Sequence, residues 1–125
     1  MKVLIVNGSS HVNGTTMQAI QEVQKVFSEA NVETEVIQLG NKPIRDCIQC
    51  GYCFERGECV FKDDDVNSFV EKAKDVDGFI FATPVYYAHP SGRILSFLDR
   101  VFFSAENVTP NPFAFKPGAS IAVAR

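Results

Sequence analysis

Apolar positions recur along this chain with two periods, and the alternation between them outlines a fold. "KVLIVN" (2–7) is an unbroken apolar run closed by Gly8, as expected of a parallel strand buried on both faces. Between Thr15 and Ala30, Met17, Ile20, Val23 or Gln24, and Phe27 recur at helical spacing and predict a helix with one apolar face. "TEVIQL" (34–39) predicts a second strand, ended by Gly40 with Pro43 soon after. Beyond a cysteine-rich stretch, Asp63, Asp64 or Asp65 can cap a helix that carries Val66, Phe69, Val70 and Ala73 on one face. "GFIFAT" (78–83) predicts a third strand ending at Pro84. Residues 91–103 predict a helix that turns Leu95, Leu98, Val101 and Phe102 inward, and "ASIAVA" (119–124) predicts a fourth strand.

The order β-α-β-(Cys)-α-β-α-β predicts one α/β domain over residues 1–125, a doubly wound parallel sheet with a cysteine-rich insertion at 47–59 after strand two. The five-stranded form of this architecture binds its ligand at the switch point between strands one and three. Four strand signals are present here, so the last strand and helix are expected to be absent from this chain. It is then either a fragment or a domain whose edge a partner covers.

Composition adds exclusions. With 46% apolar residues, eleven Phe, no Trp and a formal charge of −3, the chain is ordinary for about one globular domain. The absence of a basic run argues against a nucleic-acid surface. The apolar run after Met1 is too short for a secretory leader, and "GFIFATPVYYA", broken by Pro84, falls far short of the ~20 residues of a membrane helix. A cytoplasmic protein with no membrane partner is expected.

Two loops should meet at the switch point. "NGSSHVNGTT" (7–16) is crowded with small and hydroxyl residues, which let backbone N–H groups close around an anion at a helix N-terminus. It lacks the Gly-Lys-Ser/Thr of a P-loop and the G-x-G-x-x-G of a dinucleotide fold. Such a turn serves either as a phosphate cradle or simply as a cap. "TPVYYAHPSG" (83–92) is stiffened by two prolines and offers the flat faces of Tyr86 and Tyr87, either to a planar ring or as cover for the sheet edge. A phosphate cradle beside an aromatic shelf points to flavin mononucleotide (FMN). A phospho-receiver needs acidic residues where Asn7, Gly8 and Thr83 stand, and is excluded.

All four cysteines lie in "CIQCGYCFERGEC" with the spacing C-x2-C-x2-C-x5-C. Four soft thiolates in one compact loop suit a [4Fe–4S] cluster. Structural zinc more often uses two separated pairs or a histidine, and His11 and His89 are distant in sequence. Gly51 and Gly57 would let the backbone wrap closely around the sulfurs. Zinc and free or redox-active thiols remain the alternatives.

"GSSHVNGTT", "CIQCGYCFERGECVFKDD" and "ATPVYYAHPSGRILSFLDR" resemble, in order and over essentially the whole chain, the iron–sulfur flavoprotein branch of the NADPH-dependent FMN reductase family, which has a flavodoxin-like fold. The resemblance implies that Ser9, His11, Gly14, Thr15 and Thr16 surround the FMN phosphate. It places Pro84, Val85, Tyr86, Tyr87 and Ala88 along the ribityl chain and ring, and makes Cys47, Cys50, Cys53 and Cys59 ligands of a [4Fe–4S] cluster. The family commonly carries Arg where this chain has His11, so weaker, more pH-sensitive FMN binding is expected. An FMN-dependent oxidoreductase is implied, passing electrons between NAD(P)H or a ferredoxin-type partner and an acceptor, and assembled as a homo-oligomer. The alternatives are a cluster-free NAD(P)H:FMN or quinone reductase, and a flavodoxin-like electron carrier or redox-sensing module. No side chain is assigned catalysis, because the flavin carries the chemistry. His89 is expected to be a solvated loop residue, Asp63–Asp65 capping or solvated residues, and Asp99 and Arg100 helix or interface ion-pair residues.

Overall fold

A strand with an unbroken apolar run needs cover on both faces, and β1 (Lys2–Asn7), apolar from Val3 to Val6, lies inside the sheet for that reason. In the computed structural model, which describes residues 1–124, β1 pairs in parallel with β2 (Glu33–Gln38) on one side and β3 (Gly78–Tyr86) on the other. The last strand, β5 (Gly118–Val123), extends the sheet in parallel from the far side of β3, and a two-residue β4 (His89–Pro90) folds back antiparallel on the end of β3. The parallel strands thus lie in the order β2-β1-β3-β5.

Alternate residues of β1 supply two cores. Val3 and Ile5, with Ile80 and Ala82 of β3, meet α1 (Thr15–Glu29) through Ile20, Met17, Val23 and Phe27, the face read from the sequence. Leu4 and Val6 meet α3 (Val66–Ala73) and α4 (Gly92–Ala105) on the opposite face. There Phe69 lies 5.2–6.2 Å, centroid to centroid, from Phe79, Phe81, Phe97 and Phe113, so phenylalanine is the main filler of this layer.

The structure corrects three details. Helix α4 is rotated from the expected phase: Ile94, Phe97, Val101 and Ala105 point inward, Leu95 is 40% exposed, and Phe102 is 45% exposed at the sheet margin against Phe81 and Phe113. The reason is the cap. Ser91 accepts the Ile94 N–H, which sets the first turn and puts Ile94 over Gly8. Strand β3 does not end at Pro84 but continues to Tyr86, because the Val85–Tyr86 backbone finds partners in β4. Finally, the cysteine stretch holds a short helix, α2 (Tyr52–Arg56), between left-handed glycines at 51 and 57.

Candidate functional site

The two switch-point loops are tied into one unit. Gly8 donates its N–H to the Ala82 carbonyl at 2.7 Å, and its own carbonyl accepts the Ser91 hydroxyl at 3.1 Å. Ser91 also donates its N–H to Thr83 Oγ1 at 3.1 Å, and that hydroxyl donates to the Pro84 carbonyl at 2.9 Å. Only glycine fits at position 8, since a Cβ would stand 2.9 Å from Ile94 and 3.0 Å from the Ala82 oxygen. From the other side, Asn7 Nδ2 donates to Gln38 Oε1, Gln38 Nε2 to the Ser9 carbonyl, and the Ser9 N–H to Asn7 Oδ1.

Of the expected phosphate residues, Ser9 and Thr16 are buried, Gly14 is half-buried, and His11 and Thr15 are exposed. Ser9 Oγ accepts the His11 N–H at 3.1 Å, so this hydroxyl shapes the loop. Gly14 stands at the N-cap of α1, and no side chain caps the helix. Its first-turn N–H groups are therefore available to an anion. In the second loop, Pro84 and Val85 are half-buried while Tyr86, Tyr87 and Ala88 are exposed, with Tyr87 at 100%. Neither tyrosine covers the sheet edge. Tyr87 and Ala88 form the tip of the β3–β4 turn with φ of 49° and 70°, a left-handed pair that lifts both side chains clear of the sheet. His89 is exposed, as expected.

The four cysteines converge on a second place. Cys47, Cys50, Cys53 and Cys59 line one cavity of about 20 Å³, walled by Ile48, Phe61, Phe103 and Arg100. That is room for about one water molecule. Among the described residues, no three His, Cys, Asp or Glu side chains stand close enough together to hold a metal ion. Burial pushes the Cys53 thiol pKa up, and the nearby cysteines add to it. The donor set of four soft sulfurs in an apolar pocket is nevertheless the one an iron–sulfur cluster takes, and the thiols would have to lose their protons to hold it.

Arg100 is an ion-pair residue, as expected, but the sequence did not show its partner or that it holds this loop. Arg100 is buried on the inward face of α4, with its side chain 1% exposed. It grips Asp64 with two nitrogens at 2.5 and 3.2 Å, donates to the Arg45 carbonyl at 3.2 Å, and donates from Nε to Cys59 Sγ at 3.2 Å. Burial works against its charge, but the hydrogen bonds to Asp64 and Cys59 outweigh that and raise its pKa. Asn67 holds the Cys59 backbone at both N–H (2.7 Å) and C=O (3.0 Å). Two of the three aspartates expected to be capping or solvated residues instead form internal ion pairs, while Asp65 stays exposed. Asp64 pairs with Arg100, Asp63 with Arg45, and Asp65 begins α3. A usable signal was present, because Arg100 falls on the stripe of Ile94, Phe97 and Val101, where a cation needs a buried partner.

Fold and loops together define a doubly wound α/β domain with an uncapped helix N-terminus at its switch point and a thiol-lined pocket beside α4. The chain belongs to the NADPH-dependent FMN reductase family, which it matches over residues 1–125. It is similar to an iron–sulfur flavoprotein of Methanocaldococcus jannaschii, with 36% identity over 80% of this chain and 51% of that protein. An iron–sulfur flavoprotein of Archaeoglobus fulgidus is 30% identical over 81% of this chain and 46% of its own length. The chain thus spans about half the length of these relatives. Among solved structures, a flavone reductase superposes with a TM-score of 0.71 at 23% identity, over 99% of this chain and 43% of that one. An NADH:FMN oxidoreductase does so with 0.65 at 22%, over 98% and 58%, and both likenesses speak for the fold.

Proposed function

We propose that the protein is an FMN-dependent oxidoreductase that carries a [4Fe–4S] cluster and passes electrons between NAD(P)H or a ferredoxin-type donor and an acceptor. The observation that carries it is the convergence of all four cysteines on one apolar pocket, in a chain whose relatives are iron–sulfur flavoproteins. FMN, when bound, accepts a hydride or two single electrons, and a cluster passes one electron at a time.

The chain's own residues divide the work. The uncapped first turn of α1, with Ser9, His11, Gly14, Thr15 and Thr16 around it, receives the phosphate. Pro84 and Val85 give the ring and ribityl chain a rigid edge, and Tyr86, Tyr87 and Ala88 border the ring. Cys47, Cys50, Cys53 and Cys59 hold the cluster. Helix α4 begins at the FMN loops with Ser91 and reaches the cysteine pocket at Arg100, about 14 Å along its axis at the usual helical rise. Free thiols belong to a reducing compartment, so a cytoplasmic location is proposed, with a homo-oligomer as the assembled form.

Anaerobic purification followed by assay of iron, acid-labile sulfide and released FMN tests this. Four irons and four sulfides per chain with FMN are the expected result. The small volume between the thiols favours a second reading, a cluster-free NAD(P)H:FMN or quinone reductase. FMN without iron, even after reconstitution, decides for it. Steady NAD(P)H oxidation without an added protein distinguishes either enzyme from a simple electron carrier.

A further inference from the structure

Cys59 differs from its three neighbours in how it is held. Asn67 fixes its backbone on both sides, and Arg100 Nε donates to its sulfur at 3.2 Å. Among the described residues, no side chain donates to the sulfur of Cys47, Cys50 or Cys53. The donor is itself immobilised. Asp64 holds the guanidinium on two nitrogens, the Arg45 carbonyl takes a third bond, and the Phe61 ring lies beneath it at 5.0 Å from its centroid.

A salt bridge alone does not account for this arrangement. A buried Arg–Asp pair can often be replaced by apolar residues with no loss of stability. What an apolar pair cannot supply is an N–H aimed at sulfur. Hydrogen bonds to ligand sulfurs are a principal control of cluster potential, because they stabilise the more negative, reduced state more than the oxidised one. Asp64 offsets the guanidinium's charge at longer range, which leaves the directional N–H···S bond as the main local influence on Cys59.

Building on the proposed cluster, we propose that Arg100 is a positioning residue that orients Cys59 as a ligand and raises the cluster's reduction potential through this hydrogen bond. Asp64 sets the direction of the donor, and Asn67 fixes the ligand's backbone. Two variants separate the bond from the charge. Arg100→Lys keeps a cation but, once paired with Asp64 as a compact point charge, has no second fixed donor for the sulfur. The double change Arg100→Met with Asp64→Leu removes one charge of each sign, leaves the net charge unchanged and refills the site with apolar volume.

The 125-residue chain and both variants are reconstituted anaerobically with iron and sulfide. Iron and sulfide content is assayed, and the cluster's midpoint potential is read by EPR during a dithionite titration. Both variants are expected to load a cluster of more negative potential. In the double variant the reduction equilibrium should change about tenfold, or ~59 mV for one electron. If the double variant does not fold, Arg100→Lys carries the same test. Loaded variants with the wild-type potential overturn the role of Arg100 and leave the cluster standing. A wild-type chain that takes up no iron and sulfide overturns both.

Discussion

Ala88 sits at φ 70° in the β3–β4 turn, a conformation that costs an L-residue roughly 1–2 kcal/mol and costs glycine little. Glycine also enlarges the unfolded ensemble, by roughly 0.4–1 kcal/mol. The balance predicts that Ala88→Gly raises stability by a few tenths to about 1 kcal/mol in urea denaturation, and that FMN titration of the same variant shows weaker binding, because the ring shelf is less preorganised. His11 is exposed on the proposed phosphate loop with no cation fixed beside it by a side-chain bond. His11→Arg is therefore expected to tighten FMN binding by several-fold at neutral pH, and an unchanged dissociation constant would count against a phosphate contact at this position. At this scale the sequence was partly legible. Small and hydroxyl residues before a helix mark either an anion cradle or a cap, and the sequence leaves that choice open. A left-handed Tyr-Ala pair cannot be read, because neither residue favours that conformation and only the pairing of β4 with β3 imposes it.

At the scale of elements, α4 links the two functional regions, and each end depends on a side chain. Ser91 caps the helix and reaches the Gly8 carbonyl. Ser91→Ala is expected to cost about 1–2 kcal/mol, and it should also weaken FMN binding because the first loop loses its tie to the second. At the other region, Asn67 joins α3 to the cysteine loop with bonds to Cys59 and Phe61. Asn67→Ala should cost about 1–3 kcal/mol and speed iron loss to a chelator in the reconstituted protein. Retained iron with lowered stability would show that Asn67 supports the fold alone. Helix periodicity located α4 but misjudged its phase, since Ile94 and Leu95 are both apolar and only the cap decides which one turns inward.

For the whole molecule, surface electrostatics join the sheet to α3. Glu35 on β2 pairs with Lys72 of α3 and with Lys2 of β1 at 3.0 Å, and these bonds, Lys72 first, lower its pKa. A carboxylate whose folded pKa lies below its unfolded value contributes its full stabilisation above the unfolded value, near 4.3, and loses it as pH falls through the folded pKa. Glu35 is about one-third exposed, so solvent screening keeps the contribution below about 1 kcal/mol. Glu35→Gln should therefore lower thermal stability slightly at pH 7 and make no difference well below pH 4. Parallel melting curves at the two pH values check this.

The order of strands and helices, the buried strand at the centre and the location of both loops were determined by the sequence itself, because apolar period and Gly/Pro punctuation are local properties. The grouping of four cysteines was equally plain, because they are adjacent in the chain. Only the tertiary structure decided which side chains control those sites. Arg100, Asp64 and Asn67 come from α4, the turn before α3 and α3 itself, and their partners lie 6–55 residues away. Ser91 meets Gly8 across 83 residues. A charged or polar residue on an apolar stripe signals in the sequence that a partner is required. Which partner satisfies it depends on how the helices lie against the sheet.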